Sequence, residues 1–376
     1  MNAILALLAT LGAQEAEEWV SYTHLYLARH HLKDGSWGGR PEKCAFPDAP
    51  APPPKAPDPE KVAELIRRLG DDDPERRDEA QRELGAMGEG ALPALKATRD
   101  HADLEVRGRG ARIAAEIAER ARGLGDVETT SLAILAFLGA GYSHISKDTY
   151  DGICFGTVVR EGLAWLMARQ DGNGRFDPKD AVANALAALA LTEAYGLTGS
   201  ARYKDAAQAG ATAVERADVK EPRELVWKGM VVVSADLSGV EGKHAEQASA
   251  IAEALRKHPA LLAGAGRAFV RAHVLKEKDE RTDEIAKAAP LGMDPETRCL
   301  AAMALFAQEG HKGERWKAWN PGLKESLVPR QSMIKGRCER GSWEGEGVRA
   351  RLRATSLNGM TLQVYYRYPT VFGAAK

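Results

Sequence analysis

The stretch that most constrains this chain is residues 126–176. It opens DVETTSLAILAFLGAGYSH, an Ala- and Leu-rich helical pattern that ends at a glycine-marked turn. It closes VVREGLAWLMARQDGNGRF, an amphipathic helix running into a tight turn that presents an aromatic. Two helices joined by a loop, the second ending in Gln170-x3-Gly174-x-Phe176, make a hairpin that can be repeated. The same Gly-x-aromatic turn recurs at Gly35-Ser36-Trp37 and at Gly341-Ser342-Trp343, and no clear copy lies between residues 207 and 335. Glycine supplies backbone angles that other residues avoid, and the aromatic returns to pack on the hairpin. Degenerate internal repetition of this kind predicts an all-α array of stacked hairpins.

Composition agrees. The chain has 376 residues, 44% hydrophobic and 28% charged, enough for a substantial core with two or three domains or one repeat array with an insertion. Aromatics are only 6%, so helices are expected over strands. A net charge of -1 gives no support for nucleic acid or an anionic membrane as a partner. Cys44, Cys154, Cys299 and Cys338 are widely separated and read as buried small hydrophobes, with a disulfide open if the protein is exported. The apolar run at residues 3–12, followed by small residues and an acidic stretch, reads as a signal peptide over residues 1–16 or as a first core helix. No Lys or Arg precedes it, yet the balance tilts towards a secreted or periplasmic protein rather than a cytoplasmic one. No stretch is long enough for a transmembrane span.

The order of segments is then legible. Residues 17–44 carry a first hairpin, with His30-His31 at its helix end where cations favour the dipole, and Trp37 in its turn. A Pro-rich linker spans residues 45–58. Residues 59–124 are charged and amphipathic, with Asp73 a natural N-cap and Pro74 at the first helical position. The acidic triplet Asp71, Asp72 and Asp73 is therefore capping and solvent-facing, not catalytic. Residues 125–376 resume the array. Within them, residues 224–236 read as a helix or a short buried segment, 276–281 as a solvated end, and 311–320 as a loop with Trp316 and Trp319.

These residues carry two resemblances. LGDDDPERRDEAQRELGAMGEGALPALK resembles HEAT-type helical repeats, with about one and a half repeats present. The hairpin over 126–176, the following ALAALALTEAYGLTG and the closing TSLNGMTLQVYYRY resemble bacterial prenyltransferase/squalene oxidase repeat proteins. The resemblance covers residues 17–44 and 126–372 and implies the α/α-toroid of squalene-hopene cyclases and protein prenyltransferase β-subunits, here with a HEAT-like insertion. A cyclase of that family would carry an Asp-x-Asp-Asp acid motif and an aromatic-lined cavity; this sequence has no such motif and few aromatics. A prenyltransferase subunit would carry Asp-x-Cys and His zinc ligands. Asp294, Cys299 and His311 are the nearest candidates, lack that spacing, and read better as a helix start, a buried thiol and a loop residue.

The remaining candidates for chemistry are Asp126, Glu128, His144, Asp180 and Glu193, acidic groups at helix ends and one histidine on a loop at a toroid mouth. A glycan-cleaving pair needs two carboxyls about 5–10 Å apart. No P-loop, nucleophile elbow, HExxH or dinucleotide fingerprint occurs. The expectation is a non-catalytic or degenerate toroid acting as a binding or scaffold module, without cofactor or metal. Its partner would be a protein at the HEAT-like arm or a small apolar ligand in the cavity. Two alternatives stay open: a divergent isoprenoid enzyme, and an exported glycan-acting toroid.

Overall fold

The computed structural model describes residues 13–39, 41, 58–121 and 126–365. The expected signal run at residues 3–12, Cys44, nearly all of the Pro-rich linker and the last residues of the Tyr-rich end lie outside them.

The described chain is predominantly helical. Helix α1 (Ala13–Arg29) comes first. Four helices follow in the inserted segment: α2 (Pro59–Arg68), α3 (Pro74–Ala86), α4 (Leu92–Ala97) and α5 (Leu104–Ala121). Then come α6 (Val127–Gly139), a two-residue antiparallel ladder of β1 (Thr149–Tyr150) and β2 (Ile153–Cys154), and α7 (Phe155–Met167). The rest is α8 (Ala181–Thr198), α9 (Ala201–Arg216), α10 (Pro222–Ser238), α11 (His244–Arg256) and α12 (Leu261–Val270), then α13 (Thr282–Lys287), α14 (Pro295–Glu309), α15 (Glu314–Leu327) and α16 (Gly347–Leu362).

Packing among them is cyclic. Helix α6 packs on α8, α8 on α10, α10 on α12, α12 on α14 and α14 on α16, and α16 packs back on α6. The intervening helices cover the seams: α7 contacts α6 and α8, α9 contacts α8 and α10, and α11 contacts α10 and α12. The seam between the last and first of the six is covered by α1, which touches both α16 and α6. Composition explains which helices are enclosed. In α8, Ala183, Ala185, Ala187, Ala188, Ala190 and Ala194 are all buried, so small side chains face neighbours on every side. Helix α8 is also the one described helix long and apolar enough to cross a membrane, and helices of the same core flank it.

The repeated turn has the same physical logic in its three copies. Gly35, Gly174 and Gly341 all adopt positive φ, at 93°, 84° and 95°. Each lies against a backbone carbonyl of another covering helix: Glu161 O on α7, Ala209 O on α9 and Tyr22 O on α1. A Cβ there would sit 2.7, 2.3 and 2.1 Å from those oxygens. The side chain that opens the turn ties it down. Gln170 Nε2 donates to Gly174 O and Ala206 O, and Gln331 Nε2 to Gly341 O and Thr23 Oγ1. In the first copy His31 stands in the glutamine's place, bonded to the Gly35 backbone, and burial keeps its pKa below the usual value. The aromatic then closes the hairpin: the indole N–H groups of Trp37 and Trp343 donate to Leu27 O and Leu327 O at 2.7 and 2.9 Å.

The inserted segment has its own apolar cluster, including Val62, Leu65, Leu69, Leu84, Leu95, Val106 and Ile113. The starts of α3 and α5 repeat one brace. Asp73 accepts from Glu75 N while Arg77 donates to Asp71 O, and Asp103 accepts from Glu105 N while Arg107 donates to His101 O. Asp73 thus has the capping role expected of it. The segment's base is closed, because Asp126 N donates to Trp37 O at 3.0 Å.

One open reading is resolved and two local expectations change. Residues 224–236 lie within helix α10. Residues 311–320 are largely helical rather than a loop. Pro321 and Gly322 disfavour helix locally, but Trp316, Trp319, Leu323 and Leu327 share one buried face, and that burial overrides propensity. Residues 276–281 are not simply solvated, since Asp279 is buried and pairs with Arg267 at 3.2 Å and Arg271 at 3.4 Å. A thermal or urea melt should separate two glycines of one turn. Gly174→Ala is expected to destabilise by about 2–4 kcal/mol through strain and backbone collision, and Gly172→Ala, in open space, by no more than about 0.5 kcal/mol.

Candidate functional site

Three of the six cyclically packed helices begin with the same register. Asp126, Glu221 and Asp294 occupy the N-cap positions of α6, α10 and α14, and two residues later stand Glu128, Arg223 and Glu296. These are alternate members of the cycle, so their charged side chains meet from across it. Arg223 Nε donates to both Glu296 oxygens at 2.9 and 3.0 Å, and its terminal nitrogen to Glu128 Oε1 at 2.5 Å. Arg353, on α16, bridges the same two acids, through Nε to Glu128 Oε1 at 2.9 Å and through a terminal nitrogen to Glu296 Oε2. The Trp227 indole N–H also donates to Glu296. Around this quartet, Asp126 pairs with Arg349 at 3.0 Å, and Asp294 caps α14 through the Glu296 and Thr297 amides.

Two acids and two arginines cancel in charge, and their forks match the planar geometry of carboxylates. Burial alone would push the Glu128 carboxyl up, but Arg223 and Arg353 outweigh it and hold its pKa below the ordinary value. Burial likewise opposes the charge on Arg223, and Glu296 and Glu128 more than restore it. Exposure ranks the members: the Glu296 side chain is 7% exposed and that of Glu128 22%, against 36% and 31% for Arg223 and Arg353. The arginines therefore remain partly solvated, and Glu296 is the member whose loss leaves the most unpaired.

The expected site residues do not converge. Asp126 and Glu128 reach this cluster, Asp126 as a cap through the Thr129 amide at 2.7 Å. Asp180 caps α8 through the Val182 and Ala183 amides and stands apart, beside a cleft of roughly 280 Å³ bordered by Asp177, Lys179, Asn184 and Lys228. Lys228 there donates to Glu215 O and Ala217 O, closing the end of α9. Glu193 is buried further along α8, about 20 Å from the Asp180 cap at 1.5 Å per residue. His144 packs edge-on against Tyr203 with ring centroids 4.9 Å apart, and burial, with Arg202 and Arg160 nearby, keeps its pKa low.

Asp294 and His311 flank opposite ends of α14, about 22 Å apart along a helix of this length, whereas zinc ligands lie about 2 Å from the metal. Cys299 is wholly buried between them, and among the described residues no three His, Cys, Asp or Glu side chains could share a metal ion. Buried thiols were expected throughout, but Cys154 and Cys338 are only half-buried.

Arg223, Glu296, Trp227 and Arg353 were not anticipated. The available signal was the common offset in Asp126-x-Glu128, Glu221-Pro-Arg223 and Asp294-Pro-Glu296, which puts like-placed charges at like-placed helix starts. In urea unfolding, Glu296→Ala should cost about 2–3 kcal/mol and Glu128→Gln about 1 kcal/mol, because a buried acid with three donors leaves more unsatisfied than a partly solvated one. Glu128 has a depressed folded-state pKa, so its stabilisation is complete above its ordinary value of 4.5 and is lost as the pH falls through the lower folded value. The stability gap between the wild type and Glu128→Gln should therefore hold steady above about pH 5 and shrink as the pH falls below 4.5, as urea midpoints would record. No protein-family model, curated protein or solved structure matches the chain.

Proposed function

We propose that the chain is an α/α-toroid carrying a HEAT-like arm, and that it serves as a binding or scaffold module rather than as an isoprenoid or glycan enzyme. The cyclic order of helix neighbours, the three equivalent glycine turns and the covering helices over the seams favour the toroid. The repeated Asp-cap and arginine brace at α3 and α5 favours the HEAT-like reading of the arm.

The observation that carries the functional reading is the Glu128–Arg223–Glu296–Arg353 quartet. A toroid enzyme that protonates a polyene or a glycosidic oxygen needs a carboxyl whose pKa is raised towards the working pH. Glu128 is shifted the other way, and arginine or indole donors occupy both oxygens of Glu296 and the Oε1 of Glu128. Such a cluster fixes four of the six helices relative to one another and neutralises the two acids that point into it. The arm, with a core of its own, is the better surface for a protein partner. Leu104, 76% exposed at the start of α5, marks one edge of it.

Incubating the full chain with prenyl diphosphates, squalene and soluble glycans should yield no product above buffer. A photo-crosslinker at Leu104 should capture a protein in the native host. Product formation that is lost in Glu128→Gln, with no adduct at Leu104, would overturn the reading.

A further inference from the structure

Outside the charged cluster, Cys338 and His30 form a thiol–imidazole pair that the scaffold reading does not use. His30 follows α1 and is buried. Its Nδ1 lies 2.8 Å from Tyr26 O, and its ring packs on that of Tyr26 with centroids 4.0 Å apart. A carbonyl can only accept, so Nδ1 carries the proton and Nε2 presents its lone pair. That lone pair faces Cys338 Sγ at 3.3 Å. A nucleophile in hydrogen-bond reach of a base, with the base held by a third group, is the arrangement that activates a thiol.

The fold has made room for this pair. In one copy of the repeated turn the glutamine and glycine are four residues apart, from Gln170 to Gly174, and in the last copy they are ten apart, from Gln331 to Gly341. The additional residues carry Cys338 to the end of α1. Cys338 is half-buried while its base is enclosed. The other described thiols differ: Cys299 is wholly buried, and Cys154 Sγ meets a backbone carbonyl, Ser146 O, at 3.7 Å. The loop is also cationic, with Lys335 and Arg337 exposed and Arg340 held over the Tyr22 ring, against the single acid Glu339.

We propose that Cys338 is a site of thiol–disulfide exchange with anionic low-molecular-weight disulfides, with His30 as its base. As Sγ attacks one sulfur of the disulfide, its proton passes to His30 Nε2. A new S–S bond forms at Cys338, the original S–S bond breaks, and the departing thiolate takes the proton back from the imidazolium. The products are a mixed disulfide and one free thiol, with no net change in electrons. The adduct would act on a structural joint. Gly341 of the same loop lies against Tyr22 O and Gln331 reaches Thr23, so this loop seats the third copy of the glycine turn on helix α1.

The test uses the full chain with Cys44→Ser and Cys154→Ser and, as probe, the dianionic disulfide of thionitrobenzoate. One thiol per chain should react at neutral pH about five- to tenfold faster than a cysteine in an unfolded peptide, the gain in thiolate being partly offset by lower nucleophilicity. The rate should stay raised well below the pH at which a free thiol ionises, and the adduct should melt at a lower temperature than the reduced chain. Cys338→Ser should remove the fast phase. His30→Gln should slow it to the peptide rate while buried Cys299 stays unreactive, which reports an intact fold. Lys335→Gln with Arg337→Gln should slow the anionic probe but not neutral hydroxyethyl disulfide. A fast phase that persists without Cys338, or an unperturbed thiol pH–rate profile in the chain with His30 intact, would overturn the proposal. Equal slowing of both probes would remove the preference for anions.

Discussion

Everything in the larger helical body depends on closing a cycle. Helix α16 must pack on α6, and α1 must cover the seam between them, so the first and last described helices of the body complete one another. Hairpins can form locally from capping and burial, but the seam brings together residues more than three hundred positions apart, as in the bond between Gln331 and Thr23. Closing so long a loop is entropically unfavourable until the final contacts form, which makes the finished body cooperative. The glycine turns matter for the same reason. Each brings its backbone against a carbonyl of another covering helix, with no side chain of its own to compress.

The charged quartet is the second closure. Apolar surface holds neighbouring helices of the cycle together, but alternate helices are too far apart to share side-chain packing of alanines. Long arginines reach where small residues cannot, and they link α6, α10, α14 and α16 at one level. Ion pairs of this kind contribute modest net stability, because desolvation offsets much of the attraction, but they penalise any arrangement that separates them. The cluster is better understood as specifying the arrangement than as driving it.

Much of this was legible in the sequence and some was not, for identifiable reasons. The caps Asp73, Asp126, Asp180 and Asp294 announce themselves by local chemistry, and so does the Gln170-to-Phe176 turn, since a cap or turn is decided by adjacent residues. The quartet is decided by residues up to 225 positions apart, and each of its members alone looks like an ordinary charge near a helix start. Helix α15 was hidden by Pro321 and Gly322, whose local preference yields to the burial of two tryptophans. Asp279 was hidden by its neighbours. Inside a run of lysines and glutamates it reads as solvated, and Arg267 and Arg271, arriving from the preceding helix and its last turn, help make a buried carboxylate tolerable. Cys338 was misjudged because a lengthened turn, rather than a motif, sets it beside His30.

The hydrogen bond from Asp126 N to Trp37 O bears on how the chain can be divided as well as on its shape. It joins the residue that leaves the first turn to the residue that begins α6, and everything between them departs from and returns to that one point. A segment anchored this way can be lost, replaced or duplicated without moving either helix it interrupts. The arm, with an apolar cluster of its own, can thus be cut away while the larger body keeps its geometry.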